Sequence, residues 1–380
     1  MKARLIFVRQ TYTPFGGAER FLALAMEQLG REGVEMEILC RRWKGDDGVR
    51  HTRIAPPYVG RLWRDAGFHR AACNWLRRHE GALVQSHERI PCCDIYRAGD
   101  GLHREWLIQR GRSRSRLGRL IERTSPYHRY TLTAERRLFS SPRLRAVICN
   151  STMVRDEIVH HYAVRPEILH VIPNGVDSER FHPGLRATFR DPVRRKFGIP
   201  HNAVMLTIIG SGFQRKGVGP LIQALAQAPS GAHLLVVGKS RHAARYRRLP
   251  QRLGLAGRVH FAGPQEDPRP FYAAADIYAH PALYDPAPNA VLEAMACGLP
   301  VIVSAKTGNS DIIRSQRAGM VCDALDIGAI AEAIGRLRDP SQRSETGENA
   351  LRTAETFSLT RMTDAYLALY RELLDTNPYA

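Results

Sequence analysis

The 380-residue sequence has no apolar run long enough to cross a lipid bilayer. A membrane-spanning helix needs about 20 consecutive, mainly apolar residues, whereas the longest runs, such as Val204 to Ile209, have the length of a strand. Leu5 to Val8 are also too few for the apolar stretch of about 7 to 15 residues in a secretory signal. We therefore expect a cytoplasmic protein without a membrane-spanning segment.

The cysteines follow no recognisable spacing. There are seven of them, an odd number, and none belongs to a Cys-x-x-Cys pair. Zinc sites and disulfide frameworks normally show regular spacing. The sequence therefore predicts neither, and we interpret the adjacent Cys92 and Cys93 as two free thiols at the start of a strand.

Acidic side chains are outnumbered by basic ones, 37 to 56, which gives a formal net charge of +19. Such an excess predicts an anionic partner: a nucleic acid, a phosphorylated ligand or an anionic membrane surface. It is densest between Arg104 and Arg145, where twelve arginines stand against three glutamates and aromatic residues are interleaved. This segment could be a solvated basic face, a nucleic-acid site or a membrane-docking surface, and no recognised nucleic-acid module accompanies it.

Short apolar runs alternate with helical patterns along the whole chain. In the first half, the predicted strand Leu5 to Val8 leads through a glycine-containing loop and a helix to the predicted strand Val34 to Leu39. The second half repeats the alternation from Met205 onward. This order is typical of an α/β fold with parallel sheets.

The length suggests two or three domains, and the sequence offers one clear boundary. The segment Ile172 to Asp177 contains Pro-Asn-Gly, which has the turn chemistry of a linker. We therefore predict domains at residues 1–175 and 176–358. The last residues, 359–380, contain an amphipathic helical pattern that could pack on either domain, including back on the first.

Two carboxylates in the second half flank a predicted helix start. Asp285 and Glu293 are eight residues apart, and the helix from Asn289 to Ala296 begins between them. A helix N-terminus presents unpaired N–H groups and a partial positive charge, which suits a diphosphate. Glu293 could accept hydrogen bonds from a ribose diol. The alternative is a helix with ordinary surface acids.

A second candidate phosphate site follows the predicted strand Met205 to Ile209. Its loop, Gly210 to Gly217, is rich in small residues, which permit close approach of a ligand. Arg215 and Lys216 can neutralise phosphate, the arginine as a planar fork and the lysine as a point charge. The alternative is a basic turn, but open parallel sheets bind ligands at the carboxyl ends of their strands, which favours the phosphate site.

A third loop, with Gly16 and Gly17 after the first predicted strand, suits a phosphate or a sugar close to the backbone. It lacks the complete Gly-x-Gly-x-x-Gly pattern, so a nicotinamide dinucleotide is not indicated. Together with the two sites above, it makes the chain resemble glycosyltransferase family 4. The resemblance extends over nearly the whole chain and is carried by six segments: Phe15–Gly17, Val147–Ser151, Ile172–Asp177, Arg215–Gly217, Ala274–Asp276 and Leu292–Val301.

The resemblance implies the GT-B fold, an α/β protein with two Rossmann-like, doubly wound parallel-sheet domains that face each other across a cleft. The loops Tyr12–Gly17 and Gly210–Gly217 are most similar to those of the heptose glucosyltransferases of the lipopolysaccharide core. The implied activity is transfer of a hexose, glucose in the first place, from a UDP-sugar to a lipopolysaccharide-core or related glycolipid acceptor, with retention at the anomeric carbon.

The resemblance also implies roles for individual residues. Glu293 matches the ribose-binding glutamate, and Asp285 stands where the family usually has a glutamate that contacts donor-sugar hydroxyls. Asp100 matches an acidic residue near the reacting centre, so the implied catalytic set is Asp100, Asp285, Arg215 and Lys216. The residues implied to hold the diphosphate are Gly16, Gly17, Arg215, Lys216, Asn289 and Ala290.

No cofactor is implied by this chemistry. Arg215, Lys216 and helix N–H groups would stabilise the leaving UDP, and no Asp-x-Asp metal motif occurs, so we expect no metal ion. The implied acceptor lies on the inner membrane, which favours docking of Arg104–Arg145 on that anionic surface over nucleic-acid binding. We therefore expect a cytoplasmic protein that associates peripherally with the inner membrane.

Two other functions stay open at this point. A non-enzymatic basic binding protein on the same fold is favoured by Asp285 and by Pro286 and Pro288, because the prolines remove N–H donors from the loop. The intact Glu293 and the Arg215-Lys216 pair count against it. A nucleotide-sugar epimerase of GT-B type is the second alternative, and its motifs match less well.

Overall fold

The structure is a computed structural model that describes residues 4–12, 29–43, 50–79, 81–229 and 231–376. The chain divides into two compact units, one formed by Met1–Asn174 with Leu359–Ala380 and the other by Gly175–Ser358. Each unit is built on one sheet whose strand pairs all run parallel. The predicted fold class, two α/β domains with parallel sheets, is confirmed.

The sheet of the first unit has seven strands in the order β3-β2-β1-β4-β5-β6-β7. They are β1 Arg4–Tyr12, β2 Glu35–Trp43, β3 His51–Arg53, β4 Leu83–Ser86, β5 Ile95–Arg97, β6 Ala146–Cys149 and β7 Leu169–Val171. The described α-helices of this unit are Gly60–Leu76, His103–Arg112, Arg116–Thr124, Pro126–Phe139, Thr152–Tyr162 and Leu359–Asp375. A short 3-10 helix spans Pro166–Ile168.

The interior strand β1 is buried on both faces, as expected when helices cover a parallel sheet. Successive side chains of a strand point to opposite faces. Ile6 and Val8 accordingly belong to one apolar cluster, whereas Leu5 and Phe7 belong to the other. Its continuous apolar run therefore reflects two covered faces.

The helix Leu359–Asp375 packs on the sheet of the first unit. Its buried side chains join the cluster that contains Leu5 and Phe7. Two tyrosines add polar contacts to the same sheet: the Tyr366 hydroxyl accepts a hydrogen bond from Arg97 Nε at 2.7 Å, and the Tyr370 hydroxyl donates to Gln85 Oε1 at 2.8 Å. The first unit is thus formed by two separate segments of the chain.

The sheet of the second unit has six strands in the order β10-β9-β8-β11-β12-β13. They are β8 Val204–Ile209, β9 Ala232–Val237, β10 Val259–Gly263, β11 Ile277–His280, β12 Val301–Ser304 and β13 Gly319–Cys322. The α-helices of this unit are Leu185–Lys196, Val218–Gln227, Ala243–Arg252, Arg269–Ala274, Asn289–Ala296, Ser310–Ser315, Ile327–Arg336 and Pro340–Glu355.

The prediction that Cys92 is a free thiol is wrong, because Cys92 forms a disulfide with Cys73. Cys73 lies on the helix Gly60–Leu76 and Cys92 lies just before β5, 19 residues further along the chain. They meet only because this helix packs on the sheet, which no short cysteine motif records. Cys93 is a free, buried thiol, as predicted.

Among the described residues, each helix is either too short or too polar to span a lipid bilayer.

Candidate active site

Three glycines close the carboxyl ends of neighbouring strands in the second unit. Gly210 follows β8, Gly238 follows β9 and Gly263 ends β10, and all three have positive φ angles. The N–H of Gly210 donates to the Val237 carbonyl at 2.9 Å, and that of Gly238 donates to the Gly263 carbonyl at 2.8 Å. A Cβ on Gly238 would lie 2.1 Å from the Gly210 carbonyl oxygen. Side chains are thus excluded here, and backbone lines this edge of the sheet.

The loop that contains Arg215 and Lys216 packs closely against the segment that follows β11. Gly217 adopts φ 78°, and a Cβ at this position would lie 1.9 Å from the Pro281 carbonyl oxygen. The Leu283 N–H also donates to the Arg215 carbonyl at 2.9 Å. Only glycine fits this approach, which brings both cations next to Asp285.

Asp285 is the centre of a buried ionic cluster. Its Oδ2 accepts hydrogen bonds from Lys216 Nζ and, at 2.8 Å, from His280 Nε2. Arg215 Nη1 lies 3.8 Å from its Oδ1. Asp285 is 5% exposed and His280 is fully buried, whereas the Arg215 side chain is 41% exposed. The structure therefore brings three of the predicted residues together, around a histidine that was not predicted.

Burial and neighbouring charge set the protonation states of this cluster. Burial favours a raised pKa for Asp285, but Lys216, His280 and Arg215 together hold the pKa of its carboxyl well below the ordinary value. Burial, reinforced by Lys216, lowers the pKa of His280 to about 4. Burial also lowers the pKa of Lys216, against the pull of Asp285. At neutral pH the cluster holds a carboxylate and a neutral imidazole whose Nε2 carries the proton.

Glu293 and the start of its helix lie in the same unit. The Tyr272 hydroxyl donates to Glu293 Oε2 at 2.8 Å, and burial raises the pKa of this glutamate. Asn289 and Ala290 are half-buried at the first two positions of the helix Asn289–Ala296. Burial raises the pKa of Tyr278, and the charges of Glu293 and Asp285 raise it further.

Asp100 belongs to the first unit and is exposed on the turn after β5. The Gly101 N–H donates to the Ala98 carbonyl at 3.0 Å, which closes the turn. Arg89 Nη2 donates to the Gly101 carbonyl at 2.9 Å, and Arg89 is itself paired with the buried Glu135. The Asp100 carboxylate therefore sits on a braced loop at the carboxyl edge of its sheet.

The predicted Gly16 and Gly17 lie outside the described residues. Within the described ranges, no three His, Cys, Asp or Glu side chains converge in a way that could hold a metal ion.

Sequence reasoning missed His280, Tyr278 and Tyr272. His280 had a signal, because a histidine at the end of an otherwise apolar strand lies at the edge where parallel sheets bind ligands. The pairing of Tyr272 with Glu293 had none, because the two residues are on separate helices and 21 positions apart.

Two family models match this chain. The model described as "Glycosyltransferase Family 4" matches residues 15–180, and the model described as "Glycosyl transferases group 1" matches residues 189–353. The first match lies in the first unit except for its last six residues, and the second lies wholly in the second unit. Together they span most of the chain.

Individual proteins agree with these matches. Lipopolysaccharide glucosyltransferase WaaG of Escherichia coli is 27% identical over 361 residues, which cover 93% of this chain and 94% of WaaG. The crystal structure of WaaG superimposes with a TM-score of 0.81 at 25% identity and covers 96% of this chain and 99% of that one.

Two further similarities are more distant. D-inositol 3-phosphate glycosyltransferase of Acidothermus cellulolyticus is 29% identical over 242 residues, which cover 60% of this chain and 53% of that protein. The structure of Anabaena HepE in complex with UDP and glucose has a TM-score of 0.72 at 20% identity, covers 98% of this chain and 100% of that one, and supports the fold alone.

Two parallel-sheet α/β units, with clustered cations and carboxylates at the carboxyl edge of the second, define a glycosyltransferase of the GT-B type. The chain belongs to glycosyltransferase family 4.

The burial of His280 predicts sensitivity to mild acid. The pKa of His280 is about 4 in the folded chain, below the ordinary 6.5. Between these two pH values the unfolded chain binds more protons than the folded chain, so the free energy of unfolding decreases as the pH is lowered. Asp285, with its lowered pKa, acts in the same direction, and Lys216, Arg215 and Tyr278 complete the titratable surroundings.

We expect His280→Gln to reduce this pH dependence. Urea denaturation at pH 7 and pH 5 should show a smaller loss of stability for the variant than for the wild type. Equal losses in both proteins would contradict a neutral, buried His280.

Proposed function

We propose that the chain transfers a hexose, with glucose as the first candidate, from a UDP-sugar to a lipopolysaccharide-core or related glycolipid acceptor, with retention at the anomeric carbon. The observation that carries this proposal is the buried Lys216–Asp285 pair beside Arg215 at the carboxyl edge of the second sheet. It is supported by the similarity to a lipopolysaccharide glucosyltransferase over most of both chains.

The donor diphosphate is assigned to Arg215, Lys216 and the N-terminus of the helix Asn289–Ala296. Asp285 neutralises one of the two cations, so one positive charge remains to meet the diphosphate. The N-terminus of a helix adds partial positive charge. Glu293 is assigned to the ribose diol, and the backbone at Gly16 and Gly17 is assigned to the same diphosphate. UDP is the proposed nucleotide because this chain resembles a lipopolysaccharide glucosyltransferase over most of both chains.

In the proposed reaction, the bond between the anomeric carbon and the diphosphate oxygen breaks, and an acceptor oxygen bonds to the same face of that carbon. The leaving phosphate takes the acceptor's proton. Arg215, Lys216 and the helix N–H groups stabilise the charge that develops on the leaving UDP. Asp100, exposed on its turn, is assigned to the neighbourhood of the reacting centre.

The ribose assignment predicts a loss of nucleotide affinity in Glu293→Ala. Removing a carboxylate that accepts ribose hydroxyls should cost about 1–3 kcal/mol in UDP binding. Isothermal titration calorimetry with UDP measures this cost, and Glu345→Ala, at an exposed glutamate of the same unit, is the matched control. Wild-type affinity in a folded Glu293→Ala protein would remove Glu293 from the donor site.

Because cationic side chains and backbone N–H groups are assigned to the diphosphate, transfer should not require a divalent metal. We expect the turnover of UDP-glucose with a glycolipid acceptor to persist in EDTA. A loss of turnover that added Mg²⁺ or Mn²⁺ restores would contradict the metal-free chemistry.

We also propose that the segment Arg104–Arg145 docks on the anionic face of the inner membrane. It forms three helices in the first unit. The middle one, Arg116–Thr124, has reversed polarity: it buries a charged side chain and exposes apolar ones. Its one buried residue is Glu122, while Leu117, Leu120 and Ile121 are 67%, 58% and 61% exposed. Apolar side chains between cationic ones suit the headgroup boundary of a bilayer.

Six of the twelve arginines of this segment, those on the helix Arg116–Thr124 and just before it, divide into two groups. Arg110 and Arg114 lie 2.9 and 3.2 Å from the same oxygen of Glu122 and hold the reversed helix in place. Arg112, Arg116, Arg119 and Arg123 are exposed. The exposed side chains of the second group reach solvent, and each can contribute about 1 kcal/mol near an anionic surface.

Replacing Arg112, Arg116, Arg119 and Arg123 by Gln should weaken sedimentation with vesicles that contain phosphatidylglycerol and spare transfer to a soluble acceptor. High salt should release the wild type in the same way, because the attraction is screened within about 8 Å at physiological ionic strength. The control removes the same charge from four exposed arginines of the second unit: Arg195, Arg314, Arg336 and Arg352. Equal binding of the wild type to neutral and anionic vesicles would refute the docking.

A further inference from the structure

We propose that Asp285 and His280 act as positioning residues for Lys216 and do not contact the donor sugar. This role rests on the proposed function, because the phosphate that Lys216 meets belongs to a UDP-sugar. It differs from the role that the family resemblance assigns to position 285.

The first observation that supports this proposal is that protein groups already surround the carboxylate oxygens of Asp285. One oxygen, Oδ2, already accepts from both Lys216 Nζ and His280 Nε2, and the other faces Arg215 at 3.8 Å. Only 5% of the residue is exposed. A carboxylate that accepts hydrogen bonds from sugar hydroxyls needs an oxygen open to the ligand, whereas Oδ2 is shared by Lys216 and His280 and Oδ1 faces Arg215.

The backbone of Asp285 is fixed as firmly as its side chain. Its N–H donates to the Lys306 carbonyl at 2.9 Å, and its carbonyl accepts from the Gly308 N–H at 2.8 Å. The aspartate side chain is also one methylene shorter than the usual glutamate. With its backbone held, the carboxylate of Asp285 can turn toward a ligand only by breaking its buried contacts with Lys216 and His280.

Lys216 needs such an anchor. Its stem runs past the end of β8, where a Cβ on Gly210 would lie 3.2 Å from Lys216 Cε, and the residue is 9% exposed. A lysine side chain carries much rotamer freedom, and burial disfavours its charged form. A fixed carboxylate both keeps the ammonium charged and holds it in one place.

His280 fixes the carboxylate in turn. It is fully buried, and its Nδ1 lies 3.3 Å from the Tyr278 hydroxyl, which is also 3.3 Å from the Ile209 carbonyl oxygen at the end of β8. A chain of polar contacts therefore runs from β8 through Tyr278, His280 and Asp285 to Lys216. Because His280 is neutral, it orients the carboxylate without adding charge.

The test compares UDP with UDP-glucose by isothermal titration calorimetry. If Asp285 and His280 position Lys216, Asp285→Asn and His280→Phe should lower the affinities for UDP and UDP-glucose by the same factor. We expect a factor on the order of tenfold, which corresponds to about 1.4 kcal/mol. His280→Gln, which keeps an N–H donor near the position of Nε2, should restore most of the UDP affinity. Thermal unfolding of each variant without ligand checks that it is folded.

A double-mutant cycle separates positioning from a general structural effect. In a Lys216→Met background, His280→Phe should change UDP affinity no further, because the cation that it positions is gone. A further loss of the same size would overturn the positioning role.

Two other results would contradict the proposal in distinct ways. If Asp285→Asn weakened the binding of UDP-glucose and left the binding of UDP unchanged, Asp285 would contact the donor sugar, and the proposed function would stand. If the wild type bound neither UDP nor UDP-glucose, the proposed function would fail and this role with it.

Discussion

Parallel strand pairing constrains where this chain can place polar chemistry. Helices cover the sheets, so interior strands such as β6 and β12 are buried along their whole length. Charged side chains that take part in function therefore lie in the loops at strand ends. The carboxyl ends of parallel strands meet at one edge of the sheet. In the second unit this edge carries the ion pair of Lys216 and Asp285. That pair forms only because Gly217, without a side chain, lets its loop touch Pro281.

Much of the fold could be predicted from the sequence, because long buried strands leave continuous apolar runs. The helix Asn289–Ala296, for example, was predicted with its observed bounds. The strands β3, β7 and β13 were not predicted. All three are edge strands of three or four residues, too short to show a period.

The prediction of the site had a different limit. Arg215, Lys216, Asp285 and Glu293 were found because each belongs to a local pattern of charge beside small residues or a helix start. His280 and the Cys73–Cys92 disulfide depend on contacts between segments that only the folded chain brings together. The reversed polarity of the helix Arg116–Thr124 is of the same kind. Its sequence shows both leucines and arginines, and only the buried ion pairs of Glu122 show which side faces outward.

The return of the helix Leu359–Asp375 to the first unit makes the second unit an insertion within the first. This has a consequence for biosynthesis. During translation, one face of the first sheet, including Leu5 and Phe7, lacks its covering helix until residues 359–375 have left the ribosome. The second unit is contiguous in sequence and can fold as soon as it is complete, because domains generally fold as units. Of the two units, the one whose synthesis begins earlier is therefore the one that completes its core later.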